Sequence, residues 1–153
     1  LNCFPELHEL DLSDNELVGD HSGTCTIVDP IITILQAMPH LTVLTLSKNK
    51  FGSKNMEQII TELAKLQNLQ VLNYIAPDCV TFLCNKIVKL HMLNVLNLHG
   101  NMIDSSGAQE LAGLVCNLNN LEELYIGNNS IGNEGAELFA SRIAKEEEQV
   151  SML

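Results

Sequence analysis

Residues 93–103 read LNVLNLHGNMI, with leucine or isoleucine at the first, fourth, sixth and eleventh places and asparagine at the ninth. The same pattern, L-x-x-L-x-L-x-x-N-x-L, recurs along the chain with apolar replacements. Its copies start at Leu7, Leu41, Leu69, Leu93 and Leu121, which are 24 to 34 residues apart. The copy at Leu69 is degenerate and has Pro77 at the asparagine position. The alternating apolar residues predict a short strand in each copy, and the regular period indicates a repeat protein.

A second apolar pattern precedes each later copy. The residues ten, six and three places before the first leucine are apolar in all four cases, for example Ile59, Leu63 and Leu66 before Leu69. Spacings of four and three put these side chains on one face of an α-helix. Each unit is therefore predicted to consist of a short strand, a loop and an amphipathic helix.

The two patterns together resemble the leucine-rich repeats of the ribonuclease-inhibitor type, whose units are about 28 residues long and contain a helix. The resemblance implies an α/β leucine-rich-repeat solenoid, a horseshoe segment with five short parallel strands on the concave side and helices on the convex side. One unit cannot cover its own leucines, so neighbouring units are expected to stack around a shared core. We therefore predict a single domain over residues 1–153. The apolar stripe of its last helix gives way to charged residues at 145–148, so we expect the C-terminal part of a longer chain.

The asparagine at the ninth place of the pattern is expected to have a structural role. In the tight turn after each strand its side chain can satisfy backbone groups that have no other partner, which would link neighbouring units into a ladder. The predicted ladder residues are Asn15, Asn49, Asn101 and Asn129. Proline has no side-chain amide, so the ladder is expected to be interrupted at Pro77.

Composition and charge narrow the possible functions. The net charge of −11 argues against nucleic acid or an anionic membrane as partner. The five cysteines form no C-x-x-C motif, which favours a reducing, cytoplasmic location. No phosphate-binding loop or H-E-x-x-H motif is present, so neither catalysis nor a cofactor is predicted. Asp20, His21, Cys25 and Asp29 share the first loop, but their spacing matches no standard metal site.

The face of the predicted sheet that is turned away from the helices is the candidate binding surface. Side chains alternate along a strand, so the residues between and after the core leucines point outward. The candidate partner-binding residues are Val43, Thr45, Val71, Asn73, Ile75, Val95, Asn97, His99, Glu123 and Tyr125. Three valines in neighbouring strands form an apolar centre flanked by acids, as in protein-binding surfaces. Two alternatives stay open: β-branched residues simply suit exposed strands, and the 18–30 loop could be the main contact.

Two strings resemble the C-terminal repeats of NOD-like innate immune receptors, LNVLNL at residues 93–98 and NSIGNEGA at residues 129–136. The resemblance implies a cytoplasmic receptor in which the repeats sense a protein ligand or restrain a neighbouring domain of the same chain. Two other classes use similar repeats. One is a GTPase-activating protein of the Ran-directed type, and the other is a scaffold or inhibitor that clamps one enzyme.

Overall fold

A computed structural model of the chain describes residues 6–18, 28–74 and 79–151, with side chains as far as residue 145. Strands and helices alternate along the chain, as the two sequence patterns predict. The strands are β1 (Glu9–Asp11), β2 (Val43–Thr45), β3 (Val71–Asn73), β4 (Val95–Asn97) and β5 (Glu123–Tyr125). The helices are α1 (Val28–Gln36), α2 (Ser53–Leu63), α3 (Val80–Ile87), α4 (Ser105–Val115) and α5 (Gly132–Ser151).

The five strands form one parallel sheet in chain order. The register places the same position of each repeat side by side, for example Val43 beside Val71 and Val71 beside Val95. Each helix packs against the next one along the chain. This arrangement confirms the predicted α/β leucine-rich-repeat solenoid.

The repeat leucines form a single core between the sheet and the helices. The middle leucines of the three central strands, Leu44, Leu72 and Leu96, are fully buried. Their counterparts in the outer strands, Leu10 and Leu124, are only partly buried, because each has a neighbouring unit on one side only. Burial of apolar side chains is therefore strongest in the middle of the solenoid, as expected for stacked units.

The helices end earlier than the apolar pattern indicates. The third apolar residue of each set follows the last helical residue and lies in a tighter turn, in which its N–H bonds to the carbonyl three residues back. Examples are Leu66 N–H to the Leu63 carbonyl at 2.9 Å and Leu90 N–H to the Ile87 carbonyl at 2.9 Å. A spacing of three suits a 3₁₀ turn as well as an α-helix, so the sequence pattern alone cannot place the helix end.

Candidate functional site

The first outward-facing row of the concave face lies across all five strands. Strand pairing places Glu9, Val43, Val71, Val95 and Glu123 side by side. The three valines, which we call the valine row, are half-buried, whereas both glutamates are exposed. The predicted apolar centre between two acids is thus formed by one continuous row of neighbouring residues.

A second row runs parallel to the valine row, two residues further along each strand. It contains Asp11, Thr45, Asn73, Asn97 and Tyr125. The Asn73 side-chain amide donates a hydrogen bond to the Thr45 hydroxyl at 3.0 Å. The Asn97 side-chain carbonyl accepts from the His99 N–H at 3.0 Å. These bonds fix the orientation of two central polar side chains on the surface.

Tyr125 and Glu123 are joined at the end of the face. The Tyr125 hydroxyl donates to Glu123 Oε2 at 2.7 Å, although both side chains are exposed. This hydrogen bond, and the negative charge behind it, raises the pKa of the Tyr125 hydroxyl. The bond also holds the Glu123 carboxylate in one position beside the valine row.

His99 occupies the third outward place in its unit and lies against Gly127 of the next unit. A Cβ atom at Gly127 would come within 2.9 Å of His99 Nδ1. The His99 ring therefore occupies space that a side chain at residue 127 would enter, a relation that the repeat pattern did not reveal. Nearby, Ser47, Lys48, Asn73, Tyr74, Asn97 and His99 line a cavity of about 210 Å³. Ile75, the remaining predicted contact, lies outside the described residues.

Three of the four predicted ladder asparagines, Asn49, Asn101 and Asn129, make hydrogen bonds to the backbone of two units at once. Asn49 Nδ2 donates to the carbonyl of Leu12 in the preceding unit at 2.7 Å and to the carbonyl of Leu46 in its own unit at 3.1 Å. Its Oδ1 accepts from the N–H groups of Asn15 and Leu17, at 3.2 and 3.1 Å. One side chain thus satisfies backbone groups on both sides of the junction between the first two units.

The same geometry recurs at the junction between the last two units. Asn129 Oδ1 accepts from the N–H groups of Asn101 and Ile103 at 2.8 and 3.0 Å, and its Nδ2 donates to the Leu98 carbonyl at 3.0 Å. Asn101 Nδ2 in turn donates to the Tyr74 carbonyl at 2.9 Å. Asn15, in the first unit, donates to the Ser13 carbonyl at 2.9 Å.

The junction between the second and third units differs. By repeat register, the Asn49 and Phe51 N–H groups correspond to the Asn101 and Ile103 N–H groups, which bond to Asn129 two junctions further on. Among the described residues neither N–H has a hydrogen-bond acceptor. Pro77, which the register places opposite them, lies outside the described residues, so the predicted interruption at that position stays a prediction.

A second set of asparagine bonds was missed by the sequence analysis. Asn68 Nδ2 donates to the Pro39 carbonyl at 3.3 Å, and Asn120 Nδ2 donates to the His91 carbonyl at 2.6 Å. Each asparagine stands one residue before the first leucine of its unit and reaches the turn of the preceding unit. The recurrence of asparagine at this position in two units was a signal that could have revealed the bonds.

The described part of the chain gives little support for a metal site or a reactive cysteine. No group of three or more His, Cys, Asp or Glu side chains there is arranged to hold a metal ion. Burial raises the pKa of the Cys84 thiol to about 12, so this cysteine carries no thiolate at neutral pH. Of the residues considered for a metal site, 20, 21 and 25 lie outside the described ranges. None of the helices described is both long and apolar enough to cross a membrane.

Four segments of the chain match the family described as Leucine Rich repeat: residues 6–24, 37–57, 89–112 and 117–140. Because these segments make up more than half of the sequence, the chain belongs to the leucine-rich repeat family. The stretch between the second and third segments contains the degenerate unit that starts at Leu69.

Among solved structures, the chain is similar to the C-terminal domain of tropomodulin from Caenorhabditis elegans, with a TM-score of 0.64 and 11% sequence identity. That alignment covers 96% of this chain and 88% of the tropomodulin chain, and at this identity it shows a shared fold alone. An internalin from Listeria monocytogenes aligns at 16% identity over 93% of this chain and 60% of its own, but its TM-score of 0.26 is too low to indicate a shared fold. Curated protein sequences include no significant match.

Proposed function

We propose that the concave face binds a protein partner, either a separate protein ligand or a neighbouring domain of the same protein. The proposal assigns no catalysis to this chain. Leucine-rich repeats are in general protein-interaction modules, which supports the class of function but not the surface that carries it. The choice of surface rests on the arrangement of residues on the sheet.

The valine row is the observation that supports this choice. Val43, Val71 and Val95 are adjacent, only half-buried, and bounded at each end of the row by an exposed glutamate. An apolar centre with a charged rim is the usual composition of a protein-binding patch, because the centre supplies desolvation energy and the rim supplies selectivity. The ordered side chains of Asn73 and Asn97 lie beside the row and offer hydrogen bonds in fixed directions.

We further propose that the repeats are of the ribonuclease-inhibitor type and act as the ligand-sensing or autoinhibitory region of a cytoplasmic innate immune receptor. The support is the resemblance of the strings at residues 93–98 and 129–136 to the repeats of NOD-like receptors. A nucleotide-binding domain encoded upstream of Leu1 would support this assignment. An upstream sequence of another class would overturn it and leave the binding surface unaffected.

The choice of surface can be tested by methyl NMR. A binder selected on the folded chain from a random peptide library should shift the methyl signals of Val43, Val71 and Val95. The half-buried valines of the helical side, Val88 and Val115, are matched controls and should not shift. Shifts confined to the control valines would place recognition on the convex side and contradict the proposal.

A further inference from the structure

The strands of the concave face carry an unusual distribution of charge. The fifteen strand residues include three acids and no lysine or arginine, and the acids are Glu9 and Asp11 in β1 and Glu123 in β5. All three are exposed and stand at the two ends of the outward rows. The centre of the first row is the valine row. Across the strands, the face is therefore acidic at both ends and apolar in the middle.

These carboxylates have no cationic partner in the described part of the chain. The ion pair found there joins Lys65 to Glu62 on the helical side, at 2.7 Å. Asp11 Oδ1 accepts from the Ser13 N–H at 2.8 Å, and Glu123 Oε2 accepts from the Tyr125 hydroxyl. Both bonds orient a carboxylate without neutralising it, so negative charge stays available at each end of the valine row.

The dimensions of the face favour one kind of occupant. Neighbouring strands are about 4.8 Å apart, so Glu9 and Glu123 are separated by four spacings, or about 19 Å. Each strand is three residues long, which gives a band about 10 Å wide. An α-helix is about 10 Å across, and its turns repeat every 5.4 Å or so, close to the strand spacing. An extended segment presents one side chain to a face about every 6.7 Å, which fits the valine row less well.

We propose that the concave face binds an amphipathic α-helix of a partner protein, with an apolar stripe on the valine row and a basic residue at each end. A spacing of about 14 residues, or four turns and about 21 Å along the axis, keeps the two basic residues on one face of the helix and close to the two glutamates. This inference rests on the proposed function of the concave face. It adds the secondary structure and the charge pattern of the partner.

The probe is a synthetic helical peptide of about 18 residues, a length at which an isolated helix can form. It carries leucines along one face and, on that same face, two lysines about 14 residues apart. A matched peptide has glutamates in place of both lysines. At low salt the lysine peptide should bind the chain about tenfold more tightly, since exposed charge pairs contribute modestly and repulsion adds to the difference. The preference should shrink at high salt.

Charge reversal in the protein gives the decisive comparison. In the double variant Glu9→Lys, Glu123→Lys, the glutamate peptide should become the tighter ligand. The variant Glu9→Gln, Glu123→Gln should weaken the preference without reversing it, because Asp11 keeps its charge, and it serves if the lysine variant is unstable. Equal binding of both peptides to the unaltered chain, with loss of both in Val71→Glu, would overturn the charge pattern and leave the concave surface intact.

The other outcomes are equally distinguishable. Tighter binding of a proline-containing extended peptide with the same apolar and basic residues would overturn the helical occupant. Binding of either peptide that Val71→Glu leaves unchanged would contradict the proposed function itself, since contact would then lie away from the valine row.

Discussion

Replacement of Asn129 by alanine should destabilise the junction between the last two units by about 3–4 kcal/mol. The Asn129 Oδ1 atom is the acceptor for the N–H groups of Asn101 and Ile103, at 2.8 and 3.0 Å. Asn101 and Ile103 are each only 2% exposed, so water can replace the lost hydrogen bonds of their N–H groups only in part. An unsatisfied buried backbone group costs about 1–3 kcal/mol. Loss of the bond from Asn129 Nδ2 to the Leu98 carbonyl adds to the effect.

Asn15→Ala is the matched control for this prediction. Asn15 holds the same place in the repeat, but it is exposed and its side chain donates one bond, to the Ser13 carbonyl. Its replacement should therefore cost less than about 1 kcal/mol. Urea denaturation measures both free energies of unfolding, and hydrogen exchange reports on the individual N–H groups. In Asn129→Ala the amides of Asn101 and Ile103 should exchange faster. Equal destabilisation by the two variants, with unchanged exchange at Asn101 and Ile103, would refute the ladder as a source of stability.

Four further predictions concern other parts of the fold. Gly135→Ala should cost about 1–3 kcal/mol, because the new Cβ would lie 2.9 Å from the Ser105 Cα. Gly113→Ala, whose Cβ meets nothing closer than 3.6 Å, should instead stabilise helix α4 by about 0.5–1 kcal/mol in thermal unfolding. The hydrogen bond from Lys65 lowers the pKa of Glu62. The pair therefore stabilises the fold above the ordinary pKa of a glutamate and loses that contribution as the pH falls. Lys65→Gln should remove this contribution, which is less than about 1 kcal/mol, and an unchanged NMR titration of Glu62 in the variant would contradict the assignment. Pro77→Asn should offer an acceptor to the N–H groups of Asn49 and Phe51. The free energy of unfolding should rise by about 1–2 kcal/mol, and hydrogen exchange at these two N–H groups should slow. Unaltered exchange would contradict the repeat register at this junction.

The sequence was sufficient to predict the alternation of strands and helices and the residues that share a row. Both follow from periodicity, because a two-residue period defines the strand faces and each repeat contributes the same position to the sheet. The sequence alone thus places Val43, Val71 and Val95 side by side. The helix ends could not be predicted, since Leu66 and Leu90 satisfy the apolar pattern equally well in a tighter turn.

Contacts made by side chains that differ from unit to unit were also beyond the repeat pattern. The His99 ring lies over Gly127, in space that a side chain at residue 127 would enter, and Tyr125 holds Glu123 through a hydroxyl that most repeats lack. These contacts depend on particular residues that the other units do not share. A periodic pattern describes what the units share, so it contains no information on such differences.

The central claim, that the valine row is a recognition surface rather than part of the core, is tested most directly by comparing Val71→Glu with Leu72→Glu. Val71 is half-buried on the concave face, whereas the adjacent Leu72 is 0% exposed. For a peptide selected on the unaltered chain, Val71→Glu should weaken binding roughly 30-fold or more, which corresponds to about 2 kcal/mol. Its unfolding free energy should change by only about 0.5 kcal/mol. Leu72→Glu should unfold the middle of the solenoid, because it buries an unpaired charge. Equal loss of stability in the two variants would contradict the assignment of the strand faces, and full binding by a folded Val71→Glu chain would contradict the concave face as the site of recognition.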